Sequence, residues 1–221
     1  VLSVSFVKGS GTIYIRVDGS VDPSTAPIKC EGCFYTFFDN IDDSIVVQMN
    51  DITIDGAGYT LSGTAAYDSK GIDLAARKNV TVRNMVIRSF YYGVHLRLSS
   101  DNKICGNKIT NNEYGIWLET YSFSNIISKN SITANLGGGI SLIDSISNTV
   151  FGNNITANGR SVSKDNTTTS WGEGIYLVYS TANEITRNNV TNNLGDGFVL
   201  VYSSLNTISE NNAVANNEYA M

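Results

Sequence analysis

Short runs of apolar residues alternate with polar ones along most of the chain. Examples are Val94, Leu96 and Leu98, then Ile116 and Leu118, then Ile175 and Leu177. A period of two marks strands with one buried face. The runs are bounded by Asn, Gly and Ser, which favour turns. The pattern also repeats over longer distances. One asparagine series runs Asn79, Asn102, Asn125, Asn148, Asn183, Asn206, with steps of 23, 23, 23, 35 and 23 residues. A second, from Asn84 through Asn107 to Asn211, has the same steps, and a third begins at Asn112. Glycines precede the first strand of each unit at Gly71, Gly93, Gly115, Gly139, Gly174 and Gly197. Such self-similarity is the signature of a solenoid. Three apolar runs per unit predict three strands per turn, each pairing with its counterpart about 4.8 Å away in the next turn. The predicted fold is all-β, a parallel solenoid of about 23 residues per coil. Asparagines at the corners are expected to adopt left-handed conformations and to bond along the stack. The repeated glycines are expected to supply a positive φ.

Residues 1–50 read as an N-terminal β cap and residues 51–221 as the repeats. One unit carries twelve extra residues, an insertion near 159–171 that ends in Trp171. Insertions in solenoids form loops on one face, often the binding face. The apolar strand containing Leu2, Val4 and Phe6 stands opposite a coil that begins again near Met221. This pairing predicts head-to-tail self-assembly by strand addition.

The repeat Asn183-Glu-Ile-Thr-Arg-Asn-Asn-Val-Thr-Asn-Asn193 and the segment Ile52-Thr-Ile-Asp-Gly-Ala-Gly-Tyr-Thr-Leu61 carry a family resemblance. The chain resembles the NosD-type repeat family of right-handed parallel β-helices, within the carbohydrate-binding and sugar-hydrolase group. Archaeal surface proteins often carry both features. The resemblance implies fold more than function, because one scaffold hosts many activities. The copper role associated with NosD needs several His, Cys or Met side chains at one place. The chain has one His and three Cys, poor material for such a site, so no metal and no cofactor are expected.

A net charge of −5 and a pI near 4.8 argue against a nucleic-acid partner. No stretch approaches the ~20 apolar residues of a membrane span. An extracellular or cell-surface location is expected. There Cys30 and Cys33, which bracket a predicted two-residue turn, are candidates for a disulfide. Asn-x-Ser/Thr sequons fall at Asn79, Asn154, Asn166 and Asn189. Three are assigned to the ladders, which leaves Asn166, in the insertion, as the glycan candidate.

Alternation places Asp73, His95, Arg97, Trp117, Glu119 and Tyr176 on the outside of the first strands, side by side in the stack. Trp171 is expected close to the same face. Aromatic rings with flanking charges suit sugars, whose apolar faces rest on the rings. The reading is a non-catalytic structural or binding module that contacts polysaccharide or further copies of itself. The alternative is a polysaccharide lyase, hydrolase or epimerase on this face, with His95 or Arg97 acting beside Asp73 or Glu119. Asp73 and Glu119 are two coils apart, about 10 Å, which is marginal for a glycosidase pair. No residue is therefore assigned a catalytic role.

Overall fold

The computed structural model describes residues 11–164 and 167–216. Within them every regular element is a strand, and the strands build three long sheets wrapped around one core. The first sheet runs from Thr12–Ile15 through Tyr92–Arg97 and Tyr114–Glu119 to Phe198–Val201. The second includes Phe34–Phe37, Lys103–Cys105 and Ile126–Ser128, and the third Thr60–Ser62, Lys108–Thr110 and Asn212–Val214. Pairing from coil to coil is parallel and in register, for example Val94 with Ile116 and Ile104 with Ile127.

Register stacks like on like in the interior. Ile72, Val94, Ile116, Ile140 and Ile175 form one column. Leu61, Ile87, Ile109, Ile132 and Ile155 form another, and all ten side chains are fully buried. Burying an Ile or Leu is worth about 1.5–3 kcal/mol. Each coil thus gains its stability from its neighbours rather than from itself.

The asparagine ladders are present. Asn125 Oδ1 accepts from both Asn102 N (3.0 Å) and Asn102 Nδ2 (2.9 Å), and that amide also donates to the Arg77 carbonyl. The other two ladders follow the same plan, as in Asn107 to Asn130 and Asn112 to Asn135. Among the described residues no buried side-chain polar atom lacks a partner. A serine ladder runs parallel to them, with Ser145 N donating to Ser180 Oγ at 3.0 Å.

Three expectations about the corners are corrected. First, the left-handed residue is the one before each ladder asparagine, such as Ser124, Lys129 and Ala134. The asparagine itself turns inward, because its amide must reach both neighbouring coils. Second, the first two ladders start one coil later than Asn79 and Asn84, which stand one residue off, while the third starts at Asn112 as expected. Val80, Met85 and Phe90 donate backbone N–H groups to Asn102, Asn107 and Asn112, while Asn79 and Asn84 occupy the left-handed positions. Asn79 and Asn154 are exposed and Asn189 half-buried, so these sequons are not in the buried ladders. Asn166 lies outside the described residues. Third, the repeated glycines do not need a positive φ. A Cβ on Gly115 would sit 2.4 Å from the Gly139 carbonyl and 2.7 Å from Ile132 Cγ2. Glycine is required there for close approach.

The parallel ladders begin inside residues 1–50. Thr12–Ile15 pairs parallel with Ser44–Val47, and Phe34–Phe37 with Thr53–Asp55. Short antiparallel strands, Val21–Asp22 and Ile28–Glu31, then cover the open edges, as sheet edges require. The hairpin turn is Gly32–Cys33, because Glu31 pairs with Phe34. Cys30 therefore opposes Tyr35 rather than Cys33, and both thiols are free, contrary to the expected disulfide. Leu2, Val4, Phe6 and Met221, on which the assembly expectation rests, lie outside the described residues.

Candidate functional site: the outer face of the first sheet

Register brings the expected outer residues together in rows. Asp73, His95, Trp117, Ser141 and Tyr176 form one row, and Arg97 stands beside Glu119 in the next. A third row, not anticipated from alternation, holds Lys70, Tyr92, Tyr114, Gly138 and Glu173. The parity breaks at the repeated glycine. Gly93 and Val94 both point inward, so the tyrosine before the glycine turns outward. The signal was present in Tyr92-Gly93 and Tyr114-Gly115, but a strict period of two misreads it.

His95 is not an exposed strand residue. It is only 5% exposed. Its Nδ1 lies 3.3 Å from Asp73 Oδ1 and its Nε2 3.3 Å from Glu119 Oε1. The Tyr92 ring stands over it with centroids 5.3 Å apart. Glu119 also accepts from Trp117 Nε1 at 3.2 Å and lies 3.8 Å from Arg97 Nε. Burial works against the charged form of Asp73. The hydrogen bond and charge of His95, the Ala75 N–H and the charge of Lys70 outweigh it and hold the carboxyl below its ordinary value. The imidazole fills the space between the two carboxylates. A glycosidase pair flanks the scissile bond, whereas here the histidine ring stands between the two carboxylates.

Beside the trio the tyrosines and Trp117 form one continuous aromatic ridge. Tyr91 meets Tyr92 at 4.8 Å, Tyr92 meets Trp117 at 5.5 Å, and Tyr114 meets Trp117 at 4.8 Å between centroids. Burial, then the neighbouring Tyr91 and a nearby glutamate, push the hydroxyls of Tyr92 and Tyr114 above the ordinary tyrosine value. They remain neutral donors at physiological pH.

Two clefts flank the ridge. One, of about 350 Å³, is lined by Lys70, Asp73, Tyr92, His95, Arg97 and Glu119. The other, of about 230 Å³, lies between Trp117, Tyr114, Ser141 and Tyr176 on the sheet and Arg160 and Glu173 at the insertion. The insertion is an antiparallel hairpin, Arg160–Lys164 paired with Thr167–Trp171. Its first residue closes the cleft through Arg160 to Glu113, 3.2 Å apart. Trp171 pairs with Arg160 across the hairpin base, and its side chain is outside the described set. Six of the seven expected face residues are thus gathered by side chain. Lys70, Tyr92, Tyr114, Arg160 and Glu173 are additions.

Three parallel sheets, inward aliphatic columns and asparagine corners define a parallel β-helix. Family models agree, matching residues 36–173 as periplasmic copper-binding protein (NosD) and residues 157–221 as right handed beta helix region. The chain belongs to the NosD family. A comparison with curated protein sequences finds no match. Among solved structures, a mutant of the periplasmic alginate epimerase AlgG is 18% identical with a TM-score of 0.60, covering 80% of this chain and 50% of that one. DFA-IIIase from Arthrobacter chlorophenolicus A6, in complex with DFA-III, is 21% identical with a TM-score of 0.54, covering 78% and 38%. At these identities the likeness is one of fold. The chain spans half or less of the length of these proteins.

The family's description raises the question of copper. Among the described residues no group of three or more His, Cys, Asp or Glu is placed to hold a metal. Both nitrogens of His95 already face carboxylates. The sheet face therefore does not fit a copper centre. No described helix is long and apolar enough to cross a membrane.

Proposed function

We propose that the chain is a non-catalytic saccharide-binding module outside the cytoplasm, and that the outer face of its first sheet is the binding surface. The observation that carries this reading is the unbroken ridge from Tyr91 to Trp117 between two polar clefts. Sugar rings rest their C–H faces on such rings, and flanking charges take the hydroxyls or a uronate carboxylate. Lys70 and Arg97 on one side and Arg160 on the other supply cations, and Glu119 and Glu173 supply acceptors. The likeness in fold to proteins named for alginate and DFA-III supports the substrate class. The family's description as periplasmic supports the location.

Titration calorimetry with alginate, pectate and a neutral glucan tests this. Binding of at least one polymer is expected, and Trp117→Ala should weaken it by about tenfold or more, since 1.4 kcal/mol is a factor of ten. No binding to any polymer, or full affinity in Trp117→Ala, would reject it. The enzymatic alternative is favoured by Arg97 and the Asp73–His95–Glu119 trio sharing one cleft. It requires turnover of a uronate polymer that is lost in His95→Ala and Arg97→Ala.

A further inference from the structure

The corner between the second and third sheets lies opposite the first sheet in the three-sided coil. Positive charge collects there, although the chain as a whole carries −5. Lys103 stands on Lys103–Cys105 of the second sheet. Lys108 and Arg88 stand on Lys108–Thr110 and Val86–Arg88 of the third. Lys129 occupies the corner itself, just after Ile126–Ser128. All four are exposed, and among the described residues none has an ion-pair partner. The nearby acid Asp55 is taken by Arg83 at 2.8 Å. The strands of the third sheet contain no Asp or Glu at all. Burial pushes the Cys105 thiol above its ordinary value, and the charges of Arg83, Lys103 and Lys129 oppose that rise. Three cations therefore act on one point of this surface. The corner is also bare beside Lys129. Gly106 N donates to the Ser128 carbonyl and Lys129 N to the Phe151 carbonyl, which stacks Gly106, Lys129 and Gly152 in one column. Within 4 Å a Cβ on Gly106 would meet only Asn84 Oδ1, at 3.5 Å, and one on Gly152 only Lys129 Cγ, at 3.9 Å. The lysine is flanked by two open notches.

We propose that this corner is a second binding site, for a linear acidic polysaccharide that carries sulfate or carboxylate groups along its chain. Arg88, Lys108 and Lys129 belong to successive coils. The cations thus span two coil steps, about 10 Å along the axis. Point charges repeated at that scale meet successive anionic groups of a polymer and raise its local concentration. Ser131 and Thr133, half-buried on the strand next to Lys108, offer hydroxyls to the sugar hydroxyls. Two other polyanions fit less well. Nucleic-acid bases stack on aromatic platforms, and the strands of the third sheet contain no aromatic residue. A membrane is planar, and cations on two sheets that meet at a corner cannot all face one plane. The corner shares no residue with the aromatic ridge or its clefts. The proposal therefore does not rest on the saccharide reading of the first sheet.

The test is biolayer interferometry on the immobilised full chain with dextran, dextran sulfate, carboxymethyl dextran and inorganic polyphosphate. The three dextrans share one backbone, so the preference for a charged form over the neutral one reads the anion alone. At least one charged form should bind about tenfold or more tighter than dextran, and the better of the two names the anion. The preference should shrink as salt is added, because exposed charges are screened over about 8 Å at physiological ionic strength. Lys103→Gln, Lys108→Gln and Lys129→Gln, combined in one chain, should lower the affinity for that form by about tenfold. Lys29→Gln, whose ammonium is paired with Glu31 at 2.6 Å, should leave it unchanged. Trp117→Ala should keep the preference for the charged form, which tells failure at the corner from failure at the ridge. Equal binding of charged and neutral dextrans overturns the proposal. So does wild-type affinity in the triple variant, or a loss of preference in Trp117→Ala equal to that in the triple variant. Tighter binding of polyphosphate than of either charged dextran also overturns it, in favour of a phosphate polymer. The melting temperature of each variant separates loss of charge from loss of fold.

Discussion

At the scale of single residues, Asp73 shows how position sets ionisation. It is largely covered, yet the His95 bond and charge, the Ala75 N–H and Lys70 hold its carboxyl below the unfolded value of about 3.9. A folded value below the unfolded one gives stability that is fully present above the unfolded value and is lost as pH falls through the folded one. Asp73→Asn should therefore destabilise the chain near neutrality by about 1–3 kcal/mol, the cost of disrupting a covered charged hydrogen bond. The gap from wild type should close as pH drops below about 4. Denaturant unfolding at several pH values measures this, and a pH-independent gap would contradict the assignment. The ladder asparagines make the complementary case. Those from Asn102 to Asn193 are buried and polar, and they are tolerated because their amides have partners in both neighbouring coils, as at Asn125.

At the scale of the element, the strands of the first sheet are defined by their opening glycine. Gly71, Gly93, Gly115 and Gly139 each face the glycine carbonyl of the next coil at a distance no side chain can occupy. The same glycine shifts the strand's parity, which moves Tyr92 and Tyr114 onto the outer face. Gly115→Ala should cost about 1–3 kcal/mol as an overpacking change. In a chain of this size that lowers the melting temperature by roughly 2–4 °C per kcal/mol. Gly11→Ala, where a Cβ would first meet Asp43 at 3.6 Å, should change little. Differential scanning calorimetry of the two variants distinguishes a packing role from a general loss of glycine.

At the scale of the molecule, the solenoid is a stack whose coils are interchangeable in the core and distinct on the surface. The hairpin insertion illustrates this. Gly172 lies against Gly159, so close that a Cβ on Gly172 would fall 1.9 Å from the Gly159 Cα. Joining these two glycines by removing residues 160–171 restores the 23-residue step between Asn158 and the next coil. The shortened chain should fold with a melting temperature within about 4 °C of the parent, the shift for about 1 kcal/mol. It should bind saccharide more weakly, because Arg160 and its pairing with Glu113 are lost from the cleft. A shortened chain that fails to fold would show the hairpin to be structural.

The sequence alone determined the solenoid, because a coil that buries one face against its neighbours must repeat its apolar and asparagine positions at a fixed step. It also placed Asp73, His95, Trp117 and Tyr176 in one row, since parallel in-register pairing carries sequence spacing directly into space. Tertiary structure decided what depends on distances between coils. Examples are the clamping of His95 between two carboxylates, the steric rather than conformational need for glycine, and the outward turn of Tyr92 and Tyr114. Alternation reports which face a residue occupies. It cannot report how near the next backbone lies, and that nearness sets the chemistry of this surface.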